Sequence, residues 1–289
     1  MDNRIAALVI LYNYDEQCLN NMKSYQESVD VIFAFDNSTK KNPKLESMLK
    51  AMDKIHYIDG HGNQGLSHAI NIVAQMAIKM DYQWLITFDQ DSFAYNNIIE
   101  QMKEFISTYP EIHNIGIISP TIKISLVKFK EVKDDISFNE CVIQSGALHN
   151  LTAYQKVKGY DEKLFIDQVD NEYCIRLSQN GYKIVKLNHA ILSHNTQDDN
   201  IKVIRVKGKK VIINKFTPMR YYYFLRNNLY CARKYKDCNL HYYAQLRRNV
   251  RELLRTLPYE NEIMPRLKAV IFGYLDYKTG KMGKTNRQF

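Results

Sequence analysis

Residues 84–92 read WLITFDQDS, and this stretch decides the fold and points to the site. A mostly apolar run ends directly in Asp89 and Asp91, with only Gln90 between them. On a strand, alternate side chains share one face, so the two carboxylates would lie side by side. Because like charges repel at that distance, a positive group is expected beside them. The stretch therefore predicts a buried strand whose carboxyl end holds a cation.

Apolar runs and segments with helical spacing alternate on both sides of this stretch. The predicted strands cover residues 4–11, 29–39, 55–60 and 114–122, and the predicted helices cover 15–28, 43–52, the later part of 61–80, and 96–109. This alternation favours an α/β fold with a Rossmann-like, mostly parallel central sheet and helices on both faces. Such sheets bind ligands at the carboxyl ends of their strands.

Composition sets the protein class. The chain has 289 residues, of which 45% are hydrophobic, so it can bury a sizeable core. No apolar run approaches the ~18 residues of a spanning helix, and the first residues lack the basic region of a signal peptide. The five cysteines are scattered and show no CxxC spacing, which favours a cytoplasmic location and argues against zinc.

Charge is divided unevenly along the chain. From residue 202 onward there are 21 Lys+Arg against 5 Asp+Glu, which leaves 19 against 26 for residues 1–201 out of totals of 40 and 31. A basic final third suggests contact with nucleic acid or phospholipid, and a solvated helical face is the alternative.

From about residue 216 the chain changes to long helical segments rich in Tyr, Arg and Leu. We therefore predict two domains, residues 1–215 and a basic helical extension over 216–289. Residues 125–143 are charged and less regular, and are predicted as a hairpin or flexible connection. Residues 241–257 place five apolar side chains on one stripe and four arginines off it. This stripe suits either a membrane interface or packing against the main domain, a neighbouring helix or a second subunit.

Three polar stretches fall at predicted strand ends. Asp89 and Asp91 offer the oxygen ligands that Mg²⁺ or Mn²⁺ prefers, with phosphate oxygens of a substrate completing the shell. Asn63 lies in GNQG before a helix, where free backbone N–H groups face the crevice. Asp36 and Asn37 could accept hydrogen bonds from a nucleoside. An ordinary glycine loop and an Asx-turn are the alternatives for the last two stretches.

Further candidates come later in the chain. Asp170 begins a predicted helix in a cluster with Asp167, Glu172 and Arg176, and could act as a general base. The same acids could instead stabilise the helix N-terminus and pair with Arg176. His194 follows another apolar run, and it is either structural or a ligand of the suspected ion.

These residues occur in an order that resembles family 2 glycosyltransferases of the GT-A fold. The order is YN, DNS, GNQG, FDQDS, SG, FIDQVDNEYCIR, SHN and PMRYYYFLRN. It is most similar to the rhamnosyltransferase-like branch that builds bacterial surface polysaccharides such as capsule. The resemblance runs from about residue 5 to residue 235 and leaves the last 50 or so residues unmatched.

The resemblance implies a role for each matched position. The nucleotide-sugar would be held by Tyr12, Asn13, Asp36, Asn37, Asn63, Gly65 and Asp89. The divalent ion, Mn²⁺ or Mg²⁺, would be ligated by Asp91, with Asp89 and His194 beside it. Asp170 would be the catalytic base, although Val169 replaces the Glu that many members have before it. Ser145, Gly146 and Arg226 would contact the acceptor, with a simple turn or fold support as the alternative.

The resemblance also implies a reaction. It is an inverting, metal-dependent transfer of a sugar, with dTDP-rhamnose as the favoured donor and a UDP-hexose or UDP-galactofuranose as the alternative. The acceptor would be a saccharide, with a lipid-linked one favoured, reached at the inner face of the cell membrane through the C-terminal helices. A homodimer is a further expectation. A nucleic-acid-binding protein is the rival class, and it is disfavoured because no recognisable RNA or DNA module accompanies the basic residues.

Overall fold

The structure is a computed structural model that describes residues 4–123, 134–194, 201–206, 209–214, 216–259 and 262–289. Side chains are described over the same ranges except at residues 194 and 201–214. The chain forms two compact units, unit 1 with residues 1–161 and 170–195, and unit 2 with residues 162–169 and 196–289. The predicted domain division at residues 215 and 216 stays a prediction. Residues 125–133 of the predicted connection at 125–143 lie outside the described residues, and residues 136–138 of it form a short strand.

Unit 1 is built on one mixed sheet. Its described strands are β1 (Ile5–Leu11), β2 (Val31–Asp36), β3 (Ile55–Asp59), β4 (Trp84–Asp89), β5 (Ser92–Ala94), β6 (Ile115–Lys123), β7 (Ile136–Phe138), β8 (Leu148–Asn150) and β9 (Lys183–His194). The order is β3-β2-β1-β4-β8-β6-β9-β5, and β7 also pairs with β9. Strands β3, β2, β1, β4, β6 and β9 run in one direction, because antiparallel β8 separates β4 from β6. The predicted mostly parallel sheet is confirmed.

Helices cover both faces of this sheet. They are α1 (Gln17–Lys23), α2 (Pro43–Lys50), α3 (Leu66–Lys79), α4 (Ile98–Thr108), α5 (Leu151–Lys156) and α6 (Val169–Gln179). Alternate residues of β1 share an apolar core with Met22 of α1 and Met102 of α4. The intervening residues Ala6 and Leu8 are also fully buried, and α3 contacts β1, β2 and β4. Burial on both faces explains why β1 is a continuous apolar run.

Local signals start the helices where the sequence predicts them. Asn42 accepts a hydrogen bond from the backbone N–H of Leu45, and Pro43 occupies the first turn of α2. Both features favour a helix start, since the first N–H groups of a helix have no partner inside it. Gly65 precedes α3 with φ of 90°, a conformation that favours glycine.

Unit 2 is mainly helical. It contains a hairpin of β10 (Ile201–Val206) and β11 (Lys209–Asn214), followed by α7 (Pro218–Tyr235), α8 (Leu240–Thr256) and α9 (Ile263–Thr279). The long helices agree with the sequence prediction, whereas the hairpin was not predicted. Within the described part of the chain, no helix is both long enough and apolar enough to cross a bilayer.

The apolar stripe of α8 packs inside unit 2. Leu246, Leu253 and Leu257 are buried, and the last two share a core with Tyr221 of α7. Leu254 alone among the stripe's leucines is exposed, at 47%. Of the two interpretations left open by the sequence, packing on a neighbouring helix is the one that the structure supports.

Candidate active site

The loop after β1 is hydrogen-bonded to the loops that follow β2 and β4. The backbone N–H of Tyr12 donates to Oε1 of Gln90 at 2.7 Å, and that of Asn13 donates to Oγ of Ser38 at 2.8 Å. The side-chain oxygen of Asn13 also accepts from the backbone N–H of Thr39 at 3.2 Å. Asn13 has a φ of 46°, which its turn requires. Tyr12 stays 45% exposed, so its ring is accessible to a ligand.

The GNQG loop is held by the residue after β2. Asn37 accepts at Oδ1 from the backbone N–H of Gln64 at 2.9 Å, and its Nδ2 donates to the carbonyl of Gly65 at 3.2 Å. Asn63 accepts from the backbone N–H of Gly65 at 3.0 Å in an Asx-turn. Asn37 is therefore the residue that positions the glycine loop, while Asn63 is half-buried in that loop.

Asp36 ends β2 inside a polar network. Its side chain is fully buried and accepts from Tyr57 OH at 2.6 Å, from Lys41 Nζ at 2.9 Å and from the backbone N–H of Ser38 at 2.8 Å. Burial alone would raise the pKa of Asp36, but these hydrogen bonds hold the pKa below its usual value. Lys41 also binds Asp59 at the end of β3, at 2.6 Å. Lys41 and Asp59 are the more exposed members of the network, and sequence reasoning missed both.

The two carboxylates of the DQD turn lie at the carboxyl end of β4 as predicted, since Asp89 is its last residue and Asp91 follows it. Both side chains are half-buried, and Gln144 Nε2 donates to Oδ1 of Asp89 at 2.8 Å. The backbone register of β5 and β9 pairs Ser92 with His194, which brings His194 next to the residue that follows Asp91. The side chain of His194 lies outside the described part.

These residues suit a divalent cation by their chemistry. Carboxylate oxygens are the ligands that Mg²⁺ and Mn²⁺ prefer, and a histidine nitrogen is compatible with Mn²⁺. Among the described side chains, which exclude that of His194, no group of three or more His, Cys, Asp or Glu is arranged to hold a metal ion. Asp89, Asp91 and the backbone position of His194 are therefore brought together, but a complete ligand set is not seen among the side chains described.

The Ser145-Gly146 pair lies against the same strand end. Ser145 Oγ is 2.5 Å from Oγ of Ser92, and Gly146 N–H donates to the carbonyl of Thr87 at 2.7 Å. Gly146 has a φ of 76°, and a Cβ placed on it would lie 2.8 Å from side-chain atoms of Pro120 and of Leu192. Only glycine fits this close approach.

Gln144, immediately before this pair, is a further residue that sequence reasoning missed. It is 4% exposed, and its carbonyl accepts a hydrogen bond from Thr87 Oγ1. Its Nε2 reaches Asp89, while its Oε1 is buried without a hydrogen-bond partner among the described residues. The sequence signal that could have identified Gln144 is its position directly before Ser145 and Gly146.

Asp170 is the second residue of α6 and is half-buried. Of the acids that cluster around it in sequence, Glu172 is fully buried and forms a two-point ion pair with Arg176, at 2.7 and 2.8 Å. In unit 2, Asp167 binds Arg220 at 2.7 Å. The ion-pair role that the sequence left open for the cluster is thus filled by Glu172 and Asp167. The assignment of Asp170 as a base stays a prediction.

Arg226 belongs to α7 in unit 2. It is 1% exposed, donates to Tyr222 OH at 3.1 Å and lies over the rings of Tyr222 and Tyr223. These contacts support the fold of unit 2. The predicted acceptor contact of Arg226 stays a prediction.

Comparisons with known proteins agree with this geometry. Residues 9–130 match the family model described as glycosyl transferase family 2. A curated relative, the dTDP-rhamnosyl transferase RfbF of Shigella flexneri, is 28% identical over 258 residues, which cover 81% of this chain and 81% of that protein.

Solved structures share the fold at low sequence identity. GalNAc-T7 with UDP, GalNAc and Mn²⁺ matches with a TM-score of 0.58 and 13% identity, over 89% of this chain. The chain spans only 56% of the length of GalNAc-T7. Staphylococcus aureus TarS 1–349 in complex with UDP-GlcNAc matches with a TM-score of 0.56 and 12% identity, over 95% of this chain and 80% of TarS 1–349. The expected GT-A fold is confirmed.

Proposed function

We propose that this chain is a family 2 glycosyltransferase of the rhamnosyltransferase-like kind and that it transfers rhamnose from dTDP-rhamnose to a saccharide acceptor. The name of the Shigella relative supports the donor. The reaction proposed is a single displacement that inverts the anomeric carbon.

One observation carries the proposal. A continuous set of hydrogen bonds joins the loops after β1, β2 and β4 and the GNQG loop, through Tyr12 to Gln90, Asn13 to Ser38 and Asn37 to Gln64. These loops all lie at the carboxyl ends of adjacent parallel strands, where open α/β sheets bind nucleotides. A site preorganised in this way suits a ligand with a base, a sugar and a diphosphate.

Each part of the donor has proposed partners on this chain. Tyr12, with its exposed ring, would stack on the base, and the loops held by Asn13 and Asn37 would surround the nucleoside. Lys41 and Asp59, the exposed ends of the Asp36 network, would present a donor and an acceptor to it. Asp89 and Asp91, with His194, would hold Mn²⁺ or Mg²⁺. When bound, that ion neutralises charge on the departing diphosphate.

Asp170 is proposed to remove the proton from the acceptor hydroxyl. An ionised carboxylate can accept that proton as the hydroxyl oxygen attacks the anomeric carbon. Ser145 and Gly146 would border the acceptor.

The test is thermal stability of the full chain against dTDP, UDP, GDP and CMP, each with and without Mn²⁺. A ligand at 100-fold excess over its dissociation constant stabilises the folded state by ~2.7 kcal/mol. We expect a metal-dependent shift with dTDP and its loss in Asp91→Asn, with Asp53→Asn, an exposed aspartate after α2, as the matched control. A shift with UDP alone would move the donor to a UDP-hexose or UDP-galactofuranose. No shift with any nucleotide would contradict the transferase assignment.

The acceptor is proposed to be lipid-linked and reached through α9. Six large apolar side chains of this helix are between 38% and 73% exposed, and they recur at helical spacing. They are Ile263, Met264, Leu267, Ile271, Tyr274 and Leu275. Because the final third of the chain is strongly basic, an anionic bilayer complements this face better than a neutral one. The enzyme would then act at the inner face of the cell membrane.

Cosedimentation with vesicles of phosphatidylglycerol and phosphatidylcholine tests this membrane contact. Met264→Glu should lower the bound fraction, whereas Leu240→Glu should not, although both positions are 73% exposed. Equal binding of vesicles by the two variants would contradict a membrane contact through α9. If Met264→Glu instead converts a dimer to a monomer in light scattering, the face is a subunit interface.

A further inference from the structure

Unit 2 contains a cavity of about 380 Å³ between α7, α9 and the C-terminal segment 281–289. At ~30 Å³ for each water molecule, it has room for roughly a dozen waters, or for a phosphate or diphosphate group. Its charged and polar lining includes Tyr222, Arg226, Asp276, Lys281, Lys284 and Arg287. Four of these six side chains are basic and one is acidic.

The acidic residue is already neutralised. Asp276 accepts two hydrogen bonds from Arg287, at 2.7 and 2.8 Å, and one from Tyr222 OH at 2.8 Å. These contacts hold the pKa of Asp276 below its usual value, and the hydrogen bonds from Arg287 have the largest effect. With the charges of Asp276 and Arg287 cancelling, the cavity keeps the three positive charges of Arg226, Lys281 and Lys284.

The walls of the cavity are fixed. The chain leaves α9 at Gly280, whose φ is 73°, and the N–H of Lys281 returns to the carbonyl of Asp276 at 2.8 Å. Further along, the N–H of Thr285 donates to Tyr223 OH at 3.0 Å. The ring of Phe289 packs against that of Tyr222. These contacts hold the C-terminal segment in place as one wall of the cavity.

The hydrogen bonding of Arg226 indicates which kind of ligand the cavity binds. Its Nε and Nη1 donate to Asn227 and Tyr222, but its Nη2 is buried without a hydrogen-bond partner among the described residues. A buried guanidinium donor left unpaired in a native fold indicates a missing acceptor. A planar guanidinium with two lysine ammonium groups nearby matches the several oxygens and multiple negative charge of phosphate.

We infer that this cavity is a binding site for a phosphate or diphosphate group. Its lining belongs entirely to unit 2, whereas the residues of the proposed donor site belong to unit 1. The phosphate could belong to a soluble molecule or to a lipid headgroup, and the chemistry of recognition is the same for both.

The test is calorimetric titration of inorganic pyrophosphate into the full chain in EDTA, which prevents metal-dependent binding at the donor site. We expect the double variant Lys281→Gln/Lys284→Gln to bind pyrophosphate with a dissociation constant raised roughly tenfold or more, since hydrogen bonds to charged groups are lost. The control Lys236→Gln/Lys278→Gln removes the same charge from exposed positions of unit 2 outside the cavity, and should stay within about twofold of the wild type.

Vesicles distinguish the two sources of phosphate. If phosphatidylcholine vesicles containing phosphatidic acid bind the wild type, and the Lys281/Lys284 variant alone loses that binding, the ligand is a lipid phosphate. If pyrophosphate binds and these vesicles do not compete with it, the ligand is soluble. Equal weakening in both double variants, or no binding of either probe to the wild type, would overturn the inference. Both outcomes leave the nucleotide test of the donor site unaffected.

Discussion

Gln144 Nε2 donates a hydrogen bond to Asp89 Oδ1 over 2.8 Å, and so ties the residue before the Ser145-Gly146 pair to the first carboxylate of the DQD turn. The same residue accepts a hydrogen bond from Thr87 in β4 through its backbone carbonyl. Gln144 is thus held at both ends by the strand that carries the carboxylate. We regard it as a positioning residue for Asp89.

Replacement of Gln144 by Met should impair catalysis without unfolding the chain. Met is close in volume but cannot donate, so Asp89 loses a charge-assisted hydrogen bond of about 1.5–3 kcal/mol. We expect kcat/KM to fall roughly tenfold or more, and the Mn²⁺ concentration for half-maximal activity to rise. Gln179→Met, at an exposed position of α6, is the control. An unchanged Mn²⁺ dependence would refute the positioning role.

Asp170→Asn should remove the proposed base while keeping the shape of the site. General-base catalysis contributes about 10²–10⁴ in rate, so kcat should fall by that factor. The affinity for dTDP with Mn²⁺ should stay within about twofold, because the proposed nucleotide contacts come from other loops. Measurement of kcat and of the dissociation constant for dTDP on the same variant separates an effect on catalysis from an effect on binding. Asp53→Asn is the control. Full activity in Asp170→Asn would assign the base elsewhere.

Acid should destabilise the fold through His149 in β8. Burial lowers the pKa of His149 to about 3, and its ring lies against those of Tyr160 and Tyr173. Thr87 Oγ1 donates its proton to backbone carbonyls, so the Nε2 of His149 is the donor at 3.2 Å and Nδ1 stays unprotonated. In the unfolded chain the same histidine takes up a proton near pH ~6.5, whereas in the folded chain it does not.

The free energy of unfolding should therefore fall as pH drops below ~6.5, by at most about 1.4 kcal/mol per pH unit from this group, until pH approaches the folded pKa of about 3. Urea unfolding at several pH values measures the slope. His149→Gln should flatten it, whereas His113→Gln, at an exposed position, should not. Parallel slopes in all three proteins would exclude His149 as the cause.

Two adjacent leucines test the packing of α8. Leu253 is 6% exposed within the core of unit 2, and Leu254 is 47% exposed. Leu253→Ala should lower the free energy of unfolding by about 2–5 kcal/mol, since it leaves a cavity. Leu254→Ala should change it by less than about 0.5 kcal/mol. Equal effects in chemical denaturation would mean that the stripe does not pack as described.

The order of the longer strands and helices in unit 1 was predictable because those elements carry strong local signals. The run before Asp89 is mostly apolar, and α2 begins at Asn42 and Pro43. By contrast β8 has only three residues, Leu148–Asn150, which is too short for a periodic pattern. The β10–β11 hairpin was missed because its apolar residues are interrupted by Lys and Arg.

The site was predictable as a set of loops but not as a set of contacts. Asp36, Asn37 and Asp89 were expected at strand ends, and they lie there. That Asn37 holds the GNQG loop depends on two segments far apart in sequence. Lys41 joins Asp36 to Asp59 across the ends of β2 and β3 in the same way. Such pairings follow from the packing of strands, which a single sequence does not display.

The glycine at position 146 has an evolutionary consequence. Because a Cβ there would lie 2.8 Å from side-chain atoms of Pro120 on β6 and of Leu192 on β9, a substitution requires those side chains to shift, and the φ of 76° adds backbone strain. Enzymes commonly diversify by exchanging the side chains that line a pocket, and this route is closed at Gly146. If Gly146 borders the acceptor as proposed, divergent copies of this chain would have to change acceptor preference through the neighbouring positions or the loops.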